Sequence, residues 1–429
     1  ADVQKLADLL KTSKEAGAGP QLATLLKDQP GDVAAKVAEI LGDLGDKSVV
    51  PALNEAIDVS KGAGADKATQ ATNHLNKAIA TALKRLGDPA GISGLMQLLK
   101  CKDFYVSMEA TTALGELRAK EAVDALIVIA GDVSTETLPP KLAIIALGNI
   151  GDPKALPVIN KMLFLEPKGK GISFFAESSF AMYQIGGQQT ADLLISDIEG
   201  KDQDFAKWLK DHEVLPGAVL AKPAQILADL NEPRAIPILE KLLTYKDPDG
   251  MLEAAVRVQA SDALGRMRST KSVSALIATL GENPALERTA NSLAILGDKA
   301  ALPALWKMGR NKNMGIRDLT LKPIALLGGE ADLKTFEAAL KEEPNLIKAQ
   351  CKESEIDDAE CAKQSGDYLK RLEGYKAVLA NKCVSGSDVA CWQGQLGDAN
   401  ALVRRRAALE LGRSGKKLGG QGDSSELSE

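Results

Sequence analysis

Residues 144–163, IIALGNIGDPKALPVINKML, and residues 293–308, LAILGDKAALPALWKM, share one pattern at two distant places in the chain. In each, an apolar stretch ends in Gly-Asp, and Ala-Leu-Pro opens a second apolar stretch. Glycine ends a helix because it adopts the left-handed conformation at little cost. Aspartate caps the following helix, and proline suits its first turn. The pattern therefore predicts a corner between two helices rather than a catalytic loop.

The same corner recurs along most of the chain. The clear copies are Leu44-Gly45-Asp46, Leu86-Gly87-Asp88, Ile150-Gly151-Asp152 and Leu296-Gly297-Asp298, and weaker ones follow Leu117, Ile185, Leu230, Met267 and Leu327. Subtracting successive positions (45, 87, 118, 151, 186, 231, 268, 297 and 328) gives steps of 29 to 45 residues. Helical-hairpin repeats have such periods. Three weak copies replace the glycine with Arg118, Asn231 or Arg268. Asparagine tolerates the left-handed conformation, whereas arginine predicts a different turn.

Composition agrees with a repeat array. The chain has 429 residues, more than one rounded core accommodates, and only 3% aromatic residues. These features predict an all-α protein, an α-solenoid of about nine to ten helical hairpins. We expect the second helix of each hairpin to line the concave face. No apolar run is long enough to span a membrane.

The repeats resemble those of the HEAT-repeat superfamily, and most closely the short phycobilisome-lyase type. The resemblance rests on Asp398 to Ala407 (DANALVRRRA) followed by Leu411-Gly412, and on Val256 to Gly265 (VRVQASDALG). It covers roughly residues 20–345 and 396–415. It implies a HEAT solenoid, a fold shared by scaffolds, transport factors and a few enzymes.

The predicted organisation has four parts. These are a HEAT-like solenoid at 1–345 with insertions near 59–73, 165–173 and 199–222, a cysteine-containing helical insertion at 346–395, a final HEAT-like helix at 396–415, and a disordered tail at 416–429. The tail has almost no apolar residues, which is typical of disordered segments.

Four of the five cysteines lie in the insertion, and Cys101 is far away. We predict the local pairs Cys351–Cys361 and Cys383–Cys391, although four cysteines allow three pairings. Zinc is the rival hypothesis, but the spacing and the lack of a nearby histidine disfavour it. The chain also begins without Met, as a mature exported protein does. We therefore expect the periplasm or cell surface, with free thiols in the cytoplasm as the alternative.

The candidates for chemistry are few. The only two histidines are His74 and His212. His212-Glu213 is a single His-Glu pair, whereas a HEAT-type deoxyhypusine hydroxylase needs several pairs for its two irons. The basic run Arg404 to Arg406 fits a solvated helix face with one structural arginine, and the net charge of −5 disfavours nucleic-acid binding. No phosphate loop or nucleophile motif is present. We therefore predict no catalytic residue, no cofactor and no metal.

Four aromatic residues are candidates for partner binding, namely Phe205, Trp208, Trp306 and Trp392; for Phe205 and Trp208, the core of an insertion is the alternative. The sequence analysis favours a non-enzymatic scaffold that binds a protein partner along its concave face. The first alternative is a HEAT-type lyase or hydrolase with its site in the insertions, near His212 or among the cysteines. The second alternative is a nucleic-acid-binding HEAT protein.

Overall fold

A computed structural model describes residues 17–134, 136–167, 171–247, 250–281, 285–383 and 388–414. Regular structure in these ranges is helical, without a strand, as the all-α prediction requires. None of the helices described is long and apolar enough to cross a membrane. The predicted disordered tail, 416–429, lies outside the described residues.

The chain divides into two compact units, one ending at Val214 and the other starting at Leu215. The helices of the first unit are α1 (Ala18–Ala23), α2 (Leu25–Asp28), α3 (Gly31–Leu44), α4 (Val50–Glu55), α5 (Lys67–Leu86), α6 (Ile92–Leu98), α7 (Phe104–Glu116), α8 (Val123–Gly131), α9 (Leu138–Ile150), α10 (Leu156–Phe164), α11 (Phe175–Ile185), α12 (Gly187–Glu199) and α13 (Gln203–Asp211). Those of the second unit are α14 (Pro216–Asp229), α15 (Ile236–Leu242), α16 (Glu253–Arg266), α17 (Val273–Thr279), α18 (Leu286–Leu296), α19 (Leu302–Gly309), α20 (Met314–Leu327), α21 (Glu330–Glu353), α22 (Asp358–Leu379), α23 (Val389–Gln395) and α24 (Ala401–Arg413).

The repeated pattern forms helix corners, as predicted. Gly151 has a φ of 75° and ends α9, and the Asp152 side chain accepts a hydrogen bond from the backbone N–H of Lys154. Gly297 and Asp298 repeat this arrangement at the end of α18. A single 3₁₀ turn follows each aspartate, and Pro157 then lies in the first turn of α10.

The corners with arginine are more regular than predicted. Arg118, Asn231 and Arg268 have φ values of 53°, 52° and 51°, in the left-handed region that glycine adopts elsewhere. The expectation of a different turn was therefore wrong. Side chains disfavour this conformation by about 1 kcal/mol, a cost small enough for the packing of the flanking helices to offset. The repeat register therefore continues through the middle of the chain.

The helices that end at corners, here called the first helices, approach each other closely within each unit. A Cβ on Gly42, Gly115 or Gly148 would lie within 3 Å of the Cα of Ala82, Ala146 or Ala181, respectively, on the next first helix. The second helices of successive hairpins, such as α4 and α6, touch much less. Within each unit the first helices therefore form the more closely packed layer.

The insertions differ in detail from the predicted boundaries. Residues 67–73 of the first insertion are helical and start α5, and the third insertion holds α13 and the beginning of α14. The predicted boundary at residue 345 falls inside α21, which contains Pro344 and continues to Glu353. α21 and α22 form a long helical hairpin.

The final helix, α24, is held by arginines. Arg406 is buried and donates hydrogen bonds to the carbonyl oxygens of Ala325, Gly328 and Val378, near the ends of α20 and α22. Arg404 donates to the carbonyl oxygen of Asp398 at 2.8 Å. These two members of the basic run therefore have structural roles.

Candidate functional site

An open groove on the first helices of the second unit combines charged and polar side chains. Its cavity volume is about 160 Å³, which is room for one small polar group rather than for a whole drug-sized ligand. It is lined by Gln225 of α14, by Val258, Gln259, Asp262 and Arg266 of α16, and by Arg288 of α18.

Asp262 lies between two guanidinium groups in this groove. Its carboxylate is 3.6 Å from Nη1 of Arg288 and 3.7 Å from Nη1 of Arg266. Both distances exceed that of a good hydrogen bond, so the two contacts are ion pairs only. Arg266 has a closer partner, the carboxylate of Asp229 on α14. Two carboxylates and two guanidinium groups therefore lie together here, and the contact between Asp229 and Arg266 is closer than either contact of Asp262.

Burial shifts the pKa values of these groups. Burial raises the pKa of Asp262 above its usual value, and the Arg288 charge opposes this only in part. Burial also lowers the pKa of the Arg266 guanidinium. A carboxyl group whose pKa moves toward neutrality can accept and donate protons. Guanidinium groups beside it can stabilise negative charge that develops on a substrate.

Local packing of α16 against α18 positions the groove. Gly265 lies against Ser292, where a larger residue would clash with the neighbouring helix. The Ser292 hydroxyl donates to the carbonyl oxygen of Ser261 at 2.7 Å, and the hydroxyls of Ser261 and Thr289 are 2.9 Å apart. Small and hydroxylated residues therefore hold the two helices close, and Asp262, next to Ser261, is half-buried within reach of Arg288 on α18.

Sequence reasoning missed this groove. Asp262 lies within the VRVQASDALG stretch that carries the family resemblance, one turn before Arg266. This Asp-x-x-x-Arg spacing places both side chains on one face of a helix. This spacing could have pointed to Asp262 and Arg266 from the sequence. It could not have pointed to Arg288, which comes from a different repeat.

The insertion near His212 is packed around aromatic rings. Phe205 is buried, its ring contacts Phe164, and Trp208 stacks on it at a centroid distance of 5.8 Å. The His212 ring stacks on Trp208 at 4.0 Å, and its Nδ1 is 2.8 Å from the Trp208 carbonyl oxygen. This geometry makes Phe205 and Trp208 part of a local core, and it gives His212 a structural contact.

One carboxyl group close to this insertion is unusual. Asp197 of α12 is only 5% exposed, and neither of its carboxylate oxygens has a hydrogen-bond partner. Burial raises its pKa to about 7; the nearby Asn160 amide lowers it in part, and the charge of Asp202 raises it further. The Asn160 Oδ1 is also buried and unpaired. Asp197 is too enclosed to meet a substrate directly.

The two disulfide bonds of the cysteine segment join the predicted partners. Cys351 is bonded to Cys361, with the two Cα atoms 5.9 Å apart, and Cys383 to Cys391, with a Cα separation of 5.6 Å. Cys101 is free and buried. In the described residues no three His, Cys, Asp or Glu side chains are grouped as metal ligands.

The remaining two tryptophans have structural contacts. Trp392 is 1% exposed and packs in a small core with Cys383, Ala407 and Leu411. It cannot contact a partner without leaving this core, so the prediction for it was wrong. Trp306 is half-buried, and its Nε1 donates to the carboxylate of Asp332 at 3.0 Å.

Comparison with known proteins identifies the type of repeat and several similar proteins. Residues 92–169 match a model of HEAT repeats, which confirms the predicted repeat family. The phycocyanobilin lyase subunit alpha of Synechococcus elongatus (strain ATCC 33912 / PCC 7942 / FACHB-805) is 41% identical over 75 residues, 18% of this chain and 26% of the relative. The subunit of the same name from Nostoc sp. (strain PCC 7120 / SAG 25.82 / UTEX 2576) is 32% identical over 144 residues, 31% of this chain and 51% of the relative. The deoxyhypusine hydroxylase-B of Oryza sativa subsp. japonica is 23% identical over 274 residues, 63% of this chain and 82% of the relative.

These relatives correct the expected function. The chain matches about a quarter and a half of the length of the two lyase subunits. All three relatives are enzymes or enzyme subunits by name, so they contradict the expectation of a non-enzymatic scaffold. They favour the alternative of a HEAT-type lyase or hydrolase.

Proposed function

Because the chain is a HEAT-repeat protein with lyase subunits among its relatives, we propose that it is an enzyme subunit of the lyase class. We propose a phycocyanobilin-like chromophore as its substrate. The observation that supports a site is the groove in which Asp262 lies between Arg266 and Arg288.

The groove residues suit lyase chemistry. Reactions of this class add groups to double bonds or eliminate them, and a proton moves to or from the reacting carbon. Asp262, with its raised pKa, is the candidate proton donor and acceptor. Arg288 is the candidate for holding an anionic substituent, because its side chain is 54% exposed. Arg266, paired with Asp229, is a positioning residue.

The hydroxylase relative supports a different reaction less well. The chain has only two histidines, and the described residues contain no cluster of metal-ligating side chains. The residues present therefore do not fit the two-iron centre that such an enzyme needs.

A protein partner is part of the proposal. The lyase relatives are named as subunits, and the first helices of the first unit expose Tyr105, Phe180 and Tyr183 to solvent. Exposed aromatic side chains on one layer support contact with another chain. We place this subunit in the periplasm or at the cell surface, which the two cystine pairs support. Peptide mass mapping of the non-reduced protein from its native host tests the compartment, and five free thiols would contradict it.

The experiment mixes the purified protein with phycocyanobilin and a cysteine-containing acceptor peptide. Formation of the covalent adduct is followed by mass spectrometry, and chromophore binding by its absorption spectrum. We expect Asp262→Asn to lower the rate of adduct formation at least tenfold while the chromophore still binds. The matched control, Asp367→Asn, removes an exposed carboxylate of α22 and should leave the rate unchanged. Equal rates with and without the protein would overturn the proposal.

A further inference from the structure

The groove contains donors that the protein itself does not use. Among the described residues Arg288 makes no hydrogen bond, and its ion pair with Asp262 is long, at 3.6 Å. The amides of Gln225 and Gln259 line the same groove and also have no hydrogen-bond partner in the described part of the chain. A guanidinium and two amides therefore line one open cavity of about 160 Å³.

A carboxylate ligand would satisfy these donors. A guanidinium binds a carboxylate through two parallel hydrogen bonds of about 2.8 Å, which is stronger than a separated ion pair. The amides on α14 and α16 could then bind a second polar group of the same ligand. Because the groove is small and bounded by three helices, it suits a small molecule rather than a protein segment.

The charges of the groove determine what happens to Asp262. Asp229 and Asp262 balance Arg266 and Arg288. Farther along, Lys322 of α20 interacts electrostatically with Arg405, Glu287 and Asp318. A carboxylate bound to Arg288 adds one negative charge next to Asp262. Like charges in a half-buried site disfavour two ionised carboxylates. Binding should therefore be accompanied by protonation of Asp262.

We propose that the groove binds a carboxylate substituent of the substrate, for which succinate serves as the probe, and that this carboxylate replaces Asp262 as the counter-ion of Arg288. This inference rests on the proposed function because it assigns a ligand class to the same groove. The bound carboxylate positions the ligand, and Asp262, once protonated, becomes the proton donor beside it. Binding of the ligand and protonation of Asp262 are then coupled.

Isothermal titration with succinate at pH 7.0 tests this inference. Titrations in two buffers of different ionisation enthalpy give the number of protons taken up. We expect uptake of a substantial fraction of one proton on binding. Asp262→Asn should bind succinate about tenfold more tightly and without proton uptake, because the competing charge is gone. Arg288→Gln should bind at least tenfold more weakly. The control Arg310→Gln, which removes an exposed arginine from the end of α19, should match the wild type.

Several results would overturn the inference. They are binding that Arg288→Gln leaves unchanged, binding without proton uptake, and binding of a hexaglutamate peptide but not of succinate. The two proposals can fail separately. Loss of succinate binding with intact adduct formation removes the ligand assignment alone, whereas succinate binding with proton uptake but without adduct formation removes the proposed lyase activity alone.

Discussion

Asp197 should make the stability of the protein fall as the pH rises. Its carboxyl is buried without a hydrogen-bond partner, and its pKa is raised from 3.8 to about 7. Between these values the folded protein keeps the proton and the unfolded chain releases it. The contribution of this group is therefore fully present below about pH 4, decreases as the pH rises, and is lost above pH 7.

The magnitude follows from the width of this window. From pH 5 to the folded pKa of about 7 is two pH units, and each unit corresponds to about 1.4 kcal/mol. The free energy of unfolding should therefore fall by about 3 kcal/mol between pH 5 and pH 8 because of this one group. Asp197→Asn replaces the acid with a neutral amide of the same shape, which should abolish this part of the pH dependence.

Urea unfolding of both proteins at pH 5 and pH 8, followed by circular dichroism and tryptophan fluorescence, checks the prediction. The quantity to compare is the drop between the two pH values, because other groups contribute equally to both proteins. Asp204→Asn, on the exposed side of α13, is the matched control and should keep the drop of the wild type. If Asp197→Asn also keeps it, the carboxyl is solvated in the folded protein and the reasoning is wrong.

Three further predictions concern stability. Arg118→Gly should stabilise the protein by about 0.5–1 kcal/mol, because Arg118 has a φ of 53°; a lower urea midpoint would contradict this. Arg317→Met should destabilise it by about 3–5 kcal/mol, since it leaves the buried Glu343 without its partner. The double variant with Glu343→Leu should recover most of that loss, and no recovery would refute the pairing. Replacing Cys383 and Cys391 with serine should cost about 2–3 kcal/mol and shift the Trp392 emission to longer wavelength, because that tryptophan packs against Cys383. An unchanged spectrum would count against this.

The fold could be predicted from the sequence because its rules are local. Gly151 and Asp152 determine a helix corner within a few residues, whatever the rest of the chain does. Arg118 broke the rule without breaking the corner, because packing of the flanking helices outweighs a cost of about 1 kcal/mol. The cysteine pairs were also local, with partners 10 and 8 positions apart in the sequence.

The candidate site depends on distances that no local rule gives. Asp262 and Arg288 are in different repeats, and their 3.6 Å contact exists because Gly265 and Ser292 let α16 and α18 approach. Asp197 was equally hidden from the sequence, since its pKa depends on enclosure by the surrounding helices. Conversely, Trp392 was a candidate for partner binding in the sequence analysis but is buried in a core with Cys383, Ala407 and Leu411. Patterns of residues predicted the helices, whereas burial of particular side chains needed the three-dimensional packing.

The arrangement of the groove also makes its tests easy to interpret. Most of the stability of a repeat array comes from the buried core positions of each helix. On α16 these include Ala260, Ala263 and Leu264. Asp262 lies on the other side of that helix, in ion pairs that are long and partly exposed, and such pairs contribute about 0–1 kcal/mol. Asp262→Asn and Arg288→Gln should therefore change the free energy of unfolding by less than about 1 kcal/mol. A tenfold loss of activity or binding in a variant that unfolds like the wild type then reports the chemistry of the groove. If either variant unfolds at a much lower urea concentration, the groove is a structural ion-pair network, and its assignment as a site fails.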